Sequence, residues 1–257
     1  MEKFKFKKKY GQNFLQNDSI LEDIVNSLEN SKDLKIVEIG PGAGALTKKL
    51  IKLGNKVIAF EIDTDLKSEL DKLMCDNLKV VYHDFLDIKL DEYFNREDKI
   101  SVVANIPYYI TTPIITKFID ENLIPEEMIL MVQKEVALRL SSKPKNSDYG
   151  AITVILNYFF DIEYLFTVDR NEFYPVPNVD SAIIKLSKKE NVLKCDYVKF
   201  KKLVQDSFKQ KRKNLKNNLR EYDLIEIQDI LEKYGYSLNN RAEDISYEIF
   251  VELVNIL

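Results

Sequence analysis

The sequence predicts an α/β protein with a doubly wound, mostly parallel sheet, followed by a small C-terminal all-helical domain. Two observations predict the sheet. Short β-branched runs alternate with helical segments, and polar residues stand where three of these runs end. A third observation predicts the second domain, because after Lys188 the apolar pattern is helical and contains no strand. We therefore expect domains over 1–187 and 188–257.

Five strands are predicted in the first domain, each from a short apolar run bounded by polar or turn residues. They cover 34–39, 56–60, 78–82, 99–104 and 127–132. Helices are predicted between them, over 45–53, 64–74 and 113–122. Right-handed crossovers bring the carboxyl ends of parallel strands to one edge, so a ligand is expected at that edge.

The remaining elements follow from a change in pattern along the chain. Strands are predicted over 164–168 and 182–186, as a terminal hairpin. Helices are predicted in the second domain over 196–208, 212–219, 224–234 and 243–255, with Gly235 as a helix stop.

Composition indicates a folded, intracellular protein. Of 257 residues, 45% are hydrophobic and 31% are charged, which is typical of a globular chain and excludes wholesale disorder. No uninterrupted apolar run approaches 18 residues, so no membrane span is expected. The lysine-rich start has no apolar signal core, and Cys75 and Cys195 have no metal-binding spacing. We therefore expect a cytoplasmic protein without a metal.

The net charge of −4 conceals an uneven distribution. Residues 1–10 carry +4 and residues 194–220 carry +8, so the rest of the chain carries −16. Such asymmetry favours a nucleic-acid partner, although lysine-rich helices that merely solvate a surface give the same pattern. The candidate phosphate-binding residues are Lys209, Lys211, Arg212, Lys213 and Lys216.

A glycine cluster stands between the first predicted strand and its helix. The chain has only seven glycines, and three of them are Gly40, Gly42 and Gly44. Such a turn lets a ligand approach the main chain. The last interval is one residue shorter than in the dinucleotide pattern, and Glu38 precedes the turn inside the strand. Both differences favour a cationic ligand without a pyrophosphate over NAD.

Two acids follow at later strand ends. Glu61 stands 21 residues beyond Gly40, where a carboxylate accepts hydrogen bonds from ribose hydroxyls. Asp84 follows the third strand and could accept one from an adenine amino group. Together with the glycines, these acids predict a site for a nucleoside-containing cofactor.

The fourth predicted strand ends at Asn105, followed by Ile106, Pro107 and Tyr108. An amide oxygen, an unpaired backbone carbonyl and an aromatic face suit a planar amine. An ordinary Asn-Pro turn with a buried tyrosine is the alternative. Because Pro107, Pro113 and the pair Thr111-Thr112 are unfavourable to a helix interior, we predict a rigid loop here.

The motifs together resemble the rRNA adenine N6-dimethyltransferase family across the whole chain. They are 9–15 (KYGQNFL), 37–44 (VEIGPGAG), 61–63 (EID), Asp84, 105–113 (NIPYYITTP), 173–182 (FYPVPNVDSA) and 208–215 (FKQKRKNL). The resemblance implies a Rossmann-like class I methyltransferase fold and S-adenosyl-L-methionine as cofactor. The housekeeping branch, which dimethylates two adjacent adenosines near the 3′ end of small-subunit rRNA, is the most similar.

The resemblance also implies roles for individual residues. Those similar to the family's cofactor contacts are Asn13, Leu15, Gly40, Gly42, Glu61, Asp84 and Asn105. Asn105, Pro107 and Tyr108 resemble its catalytic loop, and Phe173 resembles the aromatic residue that packs on the target base. Tyr109 and Asn178 depart from residues common in the family, and neither departure touches the proposed chemistry.

Three other functions remain open at this point. They are a large-subunit rRNA methyltransferase that confers macrolide resistance, a non-catalytic rRNA-binding assembly factor and an NAD-dependent enzyme. If the chain is a small-subunit rRNA dimethyltransferase, its expected partner is small-subunit rRNA in an immature ribosomal particle, and it is expected to act as a monomer. His83 is expected to have either a structural role or a role at the cofactor edge, and not to act as a general base.

Overall fold

The structure is a computed structural model that describes residues 14–15, 17–29, 33–105 and 110–257. The chain forms two compact units. The first comprises Met1–Ala137 and Glu163–Lys188, and the second comprises Leu138–Ile162 and Lys189–Leu257. The predicted boundary after residue 187 lies one residue before the break that follows Lys188 between the compact units, but the compact units also place 138–162 with the C-terminal residues. The domain boundaries 1–187 and 188–257 stay a prediction.

The main sheet has seven strands in the order β4-β3-β2-β5-β6-β9-β7. Pairs β4-β3, β3-β2, β2-β5 and β5-β6 are parallel, whereas β6-β9 is antiparallel. Strands β1 and β8 form a separate two-stranded sheet. The strands are β1 Phe14–Leu15, β2 Lys35–Ile39, β3 Val57–Glu61, β4 Leu78–Tyr82, β5 Ile100–Asn105, β6 Glu127–Gln133, β7 Phe160–Val168, β8 Phe173–Tyr174 and β9 Ser181–Lys188.

The five predicted parallel strands lie within one residue of their expected bounds. Their side chains are mostly buried, as expected for strands covered on both faces. The predicted hairpin strands are also neighbours in the sheet, although β7 begins four residues early, directly after a helix.

The helices are α1 Asp18–Asn26, α2 Thr47–Leu50, α3 Lys67–Leu70, α4 Thr111–Asp120, α5 Lys134–Leu140, α6 Ala151–Phe159, α7 Tyr197–Ser207, α8 Leu215–Asn218, α9 Leu224–Lys233 and α10 Tyr247–Ile256. The predicted helices 45–53 and 64–74 are each split into an α turn and 3₁₀ turns. Among the described residues, no helix combines the length and apolar character needed to cross a membrane.

The rigid loop predicted through Thr111 and Thr112 is wrong at its end, because α4 begins at Thr111, two residues before the helix start predicted at Pro113. A proline is tolerated there because the first N–H groups of a helix have no intrahelical partner. The proline therefore marks the start of the helix and does not exclude one.

In the second unit, α7, α9 and α10 lie near their predicted positions, and each buries one apolar face. The helix predicted over 212–219 is only the single turn of α8. The helix predicted over 243–255 begins later, at Tyr247. Asp196 and Asp223 cap α7 and α9 with their side chains. Gly235 has a φ of 74° just beyond α9 and matches the predicted stop.

Candidate active site

The carboxyl ends of four neighbouring parallel strands bring most of the predicted cofactor residues to one edge. Strand β2 leads into Gly40, and β3 and β5 end on Glu61 and Asn105 themselves. Asp84 follows two residues after β4. These strands are consecutive in the sheet, so the sequence correctly placed four polar or glycine positions along a single edge.

The turn after β2 requires glycine for steric reasons. Gly40, Gly42 and Gly44 have φ values of 72°, 58° and 80°, in a region that other residues rarely occupy. A Cβ atom added to Gly42 would lie 2.9 Å from Cε1 of Phe14. One added to Gly44 would lie 2.4 Å from Cδ1 of Leu73. The turn therefore presents bare backbone, closely covered by apolar side chains.

Glu61 ties this turn to the end of β3. Its Oε2 accepts a hydrogen bond from the Gly42 N–H at 2.9 Å, and its Oε1 accepts one from the Asp63 N–H at 2.8 Å. Burial raises the pKa of the Glu61 carboxyl, while these backbone donors oppose that rise. A carboxylate has about four acceptor positions, so Glu61 can hold both N–H groups and still accept from a ligand's hydroxyls.

Asp84 is half-buried, and its Oδ1 accepts a hydrogen bond from the Leu86 N–H at 2.9 Å. This bond fixes the turn that follows β4 and orients the carboxylate. His83 beside it is exposed, with its Nδ1 3.1 Å from the backbone oxygen of Asp84. The ring therefore lies at the carboxyl edge of the sheet, and its structural or cofactor-edge role stays a prediction.

Glu38 is the most unusual ionisable group near the turn. It is 1% exposed, and among the described residues neither its Oε2 nor the buried Oγ1 of Thr47 finds a hydrogen-bond partner. Burial raises the pKa of Glu38 to about 8, the carboxylate of Glu61 adds to the rise, and the nearby Thr47 opposes it. A buried carboxyl oxygen without a hydrogen bond is unusual, and a nearby positive charge would lower the raised pKa of Glu38.

The substitution Glu38→Gln is expected to remove a pH dependence of stability from the ligand-free protein. A raised pKa makes the folded state hold its proton more tightly than the unfolded state, so the stability it contributes falls as pH rises from 4.5 to about 8. The loss is on the order of 5 kcal/mol at its fullest extent. Denaturant unfolding between pH 5 and 9 measures it. Glu38→Gln should be the more stable protein at pH 9, and parallel curves for the two proteins would contradict this assignment.

The remaining predicted site residues differ in how far the structure describes and exposes them. Asn105 is half-buried at the end of β5, opposite Met131 of β6. Leu15 and Phe173 are 5% and 3% exposed and belong to one apolar cluster. Asn13, Pro107 and Tyr108 lie outside the described residues. Because the Phe173 ring is buried in this conformation, a base could reach it only after the segment shifts.

Two features of the site were not predicted from the sequence. Ile62 is 43% exposed although it lies between the buried acids Glu61 and Asp63. An apolar residue directly after a strand-end acid was a signal that could have revealed it. Tyr174, which is 53% exposed next to Phe173, is the more accessible aromatic residue of β8.

The predicted RNA-binding residues belong to the second unit. Lys209, Lys211, Arg212 and Lys213 are exposed on the segment between α7 and α8, and Lys216 is exposed on α8 itself. The Nδ2 atom of Asn218 donates to the backbone oxygen of Ser207 at 2.6 Å, which braces the start of this segment. The arrangement concentrates positive charge on one short stretch of surface.

The fold and the site together define a Rossmann-like class I methyltransferase, with a glycine turn and acidic residues at the carboxyl edge of a mostly parallel sheet. The chain belongs to the ribosomal RNA adenine dimethylase family, whose model matches residues 3–257. The resemblance and the fold class predicted from the sequence are thereby confirmed.

Proteins of two bacteria named ribosomal RNA small subunit methyltransferase A are similar over nearly the full length. That of Aster yellows witches'-broom phytoplasma is 42% identical over 254 residues, covering 96% of this chain and 94% of its own. That of Fusobacterium nucleatum is 43% identical over 263 residues, covering 98% of each.

Two solved structures are also similar. A dimethyladenosine transferase from Plasmodium falciparum has a TM-score of 0.81 and 27% identity, covering 95% of this chain and 96% of its own. The 23S rRNA methyltransferase ErmE has a TM-score of 0.76 and 29% identity, covering 95% of this chain and 98% of its own.

Proposed function

We propose that this chain transfers methyl groups from S-adenosylmethionine to the N6 amino groups of two adjacent adenosines near the 3′ end of small-subunit rRNA. The observation that carries the proposal is the alignment of the glycine turn, Glu61, Asp84 and Asn105 along one sheet edge. The names of the bacterial relatives favour the small subunit over the large. A non-catalytic RNA-binding factor would need none of these four features.

The residues at the edge fit S-adenosylmethionine. The bare turn at Gly40 and Gly42 admits a ligand to the main chain, and Glu61 has acceptor capacity for ribose hydroxyls. Asp84 would accept from the adenine amino group, and the exposed Ile62 offers an apolar contact to the ring. The buried Glu38 carboxyl, whose Oε2 accepts no hydrogen bond from the described residues, suits a cationic ligand.

Chemically, the cofactor supplies a methyl group on a sulfonium, which is already a good leaving group. The protein has to hold the adenine amino group in line with it. The side-chain oxygen of Asn105 and the backbone oxygen of Pro107 would accept the two N6–H bonds, which favours a pyramidal and nucleophilic nitrogen. Fixed acceptors of this kind act through positioning and preorganised electrostatics.

Stacking would hold the extruded base. Tyr108 and Phe173 are the proposed partners, each stack being worth roughly 1–3 kcal/mol. Since Phe173 is 3% exposed, base entry has to be accompanied by a shift of β8 or of the residues that cover it. Asn13 and Leu15 are proposed to close the cofactor side, with Leu15 doing so from within the apolar cluster.

The basic segment is proposed to bind rRNA phosphates. Its five cations, Lys209, Lys211, Arg212, Lys213 and Lys216, are all exposed, and phosphate binding by such side chains weakens as salt increases. We further propose that the substrate is an immature small ribosomal subunit in the cytoplasm, modified by a monomer.

Reversing three of these charges, with Lys211→Glu, Arg212→Glu and Lys213→Glu together, is expected to weaken RNA binding. The slope of log affinity against log salt should fall by about 2–3, because each lost phosphate contact removes about 0.7–0.9. Filter binding across a salt series measures both quantities. Cofactor affinity should be unchanged.

The matched control variant makes the same change in net charge at three positions outside the basic segment. Lys52→Glu, Lys89→Glu and Lys233→Glu alter three exposed cations outside the basic segment. This variant should retain the wild-type slope to within about one contact. Equal losses in both triple variants would show that net charge alone, and not the basic segment, governs binding.

The proposed function is tested by transfer of tritiated methyl groups from S-adenosylmethionine to immature small subunits, to large subunits and to each naked rRNA. We expect label on small-subunit adenosines only. Label on large-subunit rRNA supports the resistance-type activity, and RNA binding without label supports an assembly factor. Nicotinamide-cofactor binding in equilibrium dialysis would support the NAD-dependent alternative.

A further inference from the structure

We propose that Asn17 and Glu172 form a positioning pair, which couples the cofactor turn to the segment that receives the target base. The inference rests on the proposed function and adds a part of the machinery that the sequence motifs do not contain. The pair is a side-chain hydrogen bond from Asn17 Nδ2 to Glu172 Oε2 at 3.0 Å, between residues 155 positions apart in the chain.

Further hydrogen bonds fix the positions of both Asn17 and Glu172. The Oδ1 of Asn17 caps α1 by accepting from the Ser19 and Ile20 N–H groups at 3.0 and 3.4 Å, so its amide nitrogen is turned toward Glu172. Glu172 ends a 3₁₀ turn, and its own N–H donates to the Asp169 backbone oxygen at 3.0 Å. The hydrogen bond therefore joins two preorganised segments.

The pair stands next to the two-stranded sheet. Within it, Leu15 of β1 pairs with Phe173 of β8, and Phe14 pairs with Tyr174. One residue separates Leu15 from Asn17, and Phe173 follows Glu172 directly. A sheet of two-residue strands is weak on its own, so the neighbouring side-chain bond is needed to hold its register.

Strand β1 also touches the cofactor turn. The Phe14 ring lies against Gly42, since a Cβ there would be 2.9 Å from Cε1. Gly42 in turn donates to Glu61. A continuous chain of contacts thus runs from Glu61 through Gly42 and Phe14 to Tyr174, and the Asn17–Glu172 bond fixes its far end.

This connection predicts reciprocal coupling. A ligand that orders the glycine turn favours the position of Phe14, and β1 passes that preference to β8. Thermodynamic linkage then requires that RNA on β8 favour cofactor binding by the same factor. Without the Asn17–Glu172 bond the two sites should bind more independently, and Phe173 should be less well placed for the reaction.

The test uses three variants of the full-length protein and one control variant. N17D keeps an acceptor that caps α1 but loses the donor and places a second carboxylate before Glu172. E172Q keeps an acceptor oxygen for the Asn17 amide but loses the negative charge, and Glu69→Gln, at a surface ion pair, is the control that should leave kcat unchanged. The double variant N17D/E172Q restores the bond in reverse, because the new glutamine amide can donate to the new aspartate.

We expect N17D to lower kcat by about 10-fold, while KM for S-adenosylmethionine changes by less than about 3-fold. E172Q, which keeps a neutral acceptor for the same bond, should lower kcat by less than N17D does, and the double variant should recover to within about 3-fold. The factor by which S-adenosylhomocysteine changes the RNA Kd should shrink toward one in N17D and return in the double variant.

Two results would overturn the pairing. One is a kcat and a coupling factor in N17D that match wild type. The other is a double variant no better than N17D, whatever happens to the melting temperature. A purely structural role would lower the melting temperature without changing the coupling factor. If wild type itself transfers no methyl group to rRNA, it is the proposed function that fails.

Discussion

Replacing Asn105 with alanine is expected to lower kcat for methyl transfer by about 10²–10³-fold, the cost of removing one preorganised polar group aimed at the reacting atom. The side-chain oxygen at the end of β5 is the proposed acceptor for the adenine amino group. Alanine leaves that N–H without a partner and leaves the nitrogen lone pair delocalised into the ring. Single-turnover transfer of tritiated methyl groups measures the effect apart from product release.

The matched variant is Asn105→Asp, which keeps an acceptor oxygen at the same position. It should retain more activity than Asn105→Ala, and both should fold normally, because Asn105 is half-buried and its backbone pairing with β6 does not involve the side chain. Wild-type activity in Asn105→Ala would remove this residue from the mechanism. Equal activity in the two variants would show that the acceptor oxygen is not the group that matters.

Replacing Glu61 with alanine is expected to weaken S-adenosylmethionine binding on the order of 10²-fold or more, since each hydrogen bond to a charged group contributes roughly 1.5–3 kcal/mol. The variant loses the proposed ribose acceptor. It also leaves the Gly42 and Asp63 N–H groups without the oxygens that now hold them. Isothermal titration with S-adenosylmethionine measures the loss.

Glu69→Ala provides the control for Glu61→Ala. Glu69 is in a surface ion pair with Lys72, and the loss of such pairs has little effect on stability. Cofactor affinity should therefore be unchanged in this variant. A Glu61→Ala protein that binds S-adenosylmethionine as tightly as wild type would contradict the assignment of the cofactor site.

The edge of the sheet was predictable because local rules determine it. A glycine cluster that requires positive φ and acids that follow apolar runs can both be read from neighbouring residues. Gly42 and Glu61 were therefore expected near each other, and they are in direct contact, although their hydrogen bond was not foreseen. Parallel strands and right-handed crossovers supply the rest of that inference.

What the sequence did not reveal depends on contacts between distant segments. The Asn17–Glu172 bond and the burial of Phe173 by its apolar cluster have no local pattern. Helix α6 was missed because its residues are apolar on nearly every face, so they lack the polar positions that mark a helical period. Thr111 and Thr112 were assigned to the loop because a Thr-Thr pair was taken as unfavourable to a helix, whereas both residues form the first turn of α4.

The central claim is the identity of the modified bases, and mapping them tests it most directly. The chain is expressed in a bacterial strain that lacks its own small-subunit rRNA adenine dimethyltransferase, and dimethylated adenosines are located in both ribosomal RNAs. We predict two adjacent N6,N6-dimethyladenosines near the 3′ end of small-subunit rRNA with wild type and none with Asn105→Ala. Methylated adenosine in large-subunit rRNA, or none in either RNA, would contradict the account.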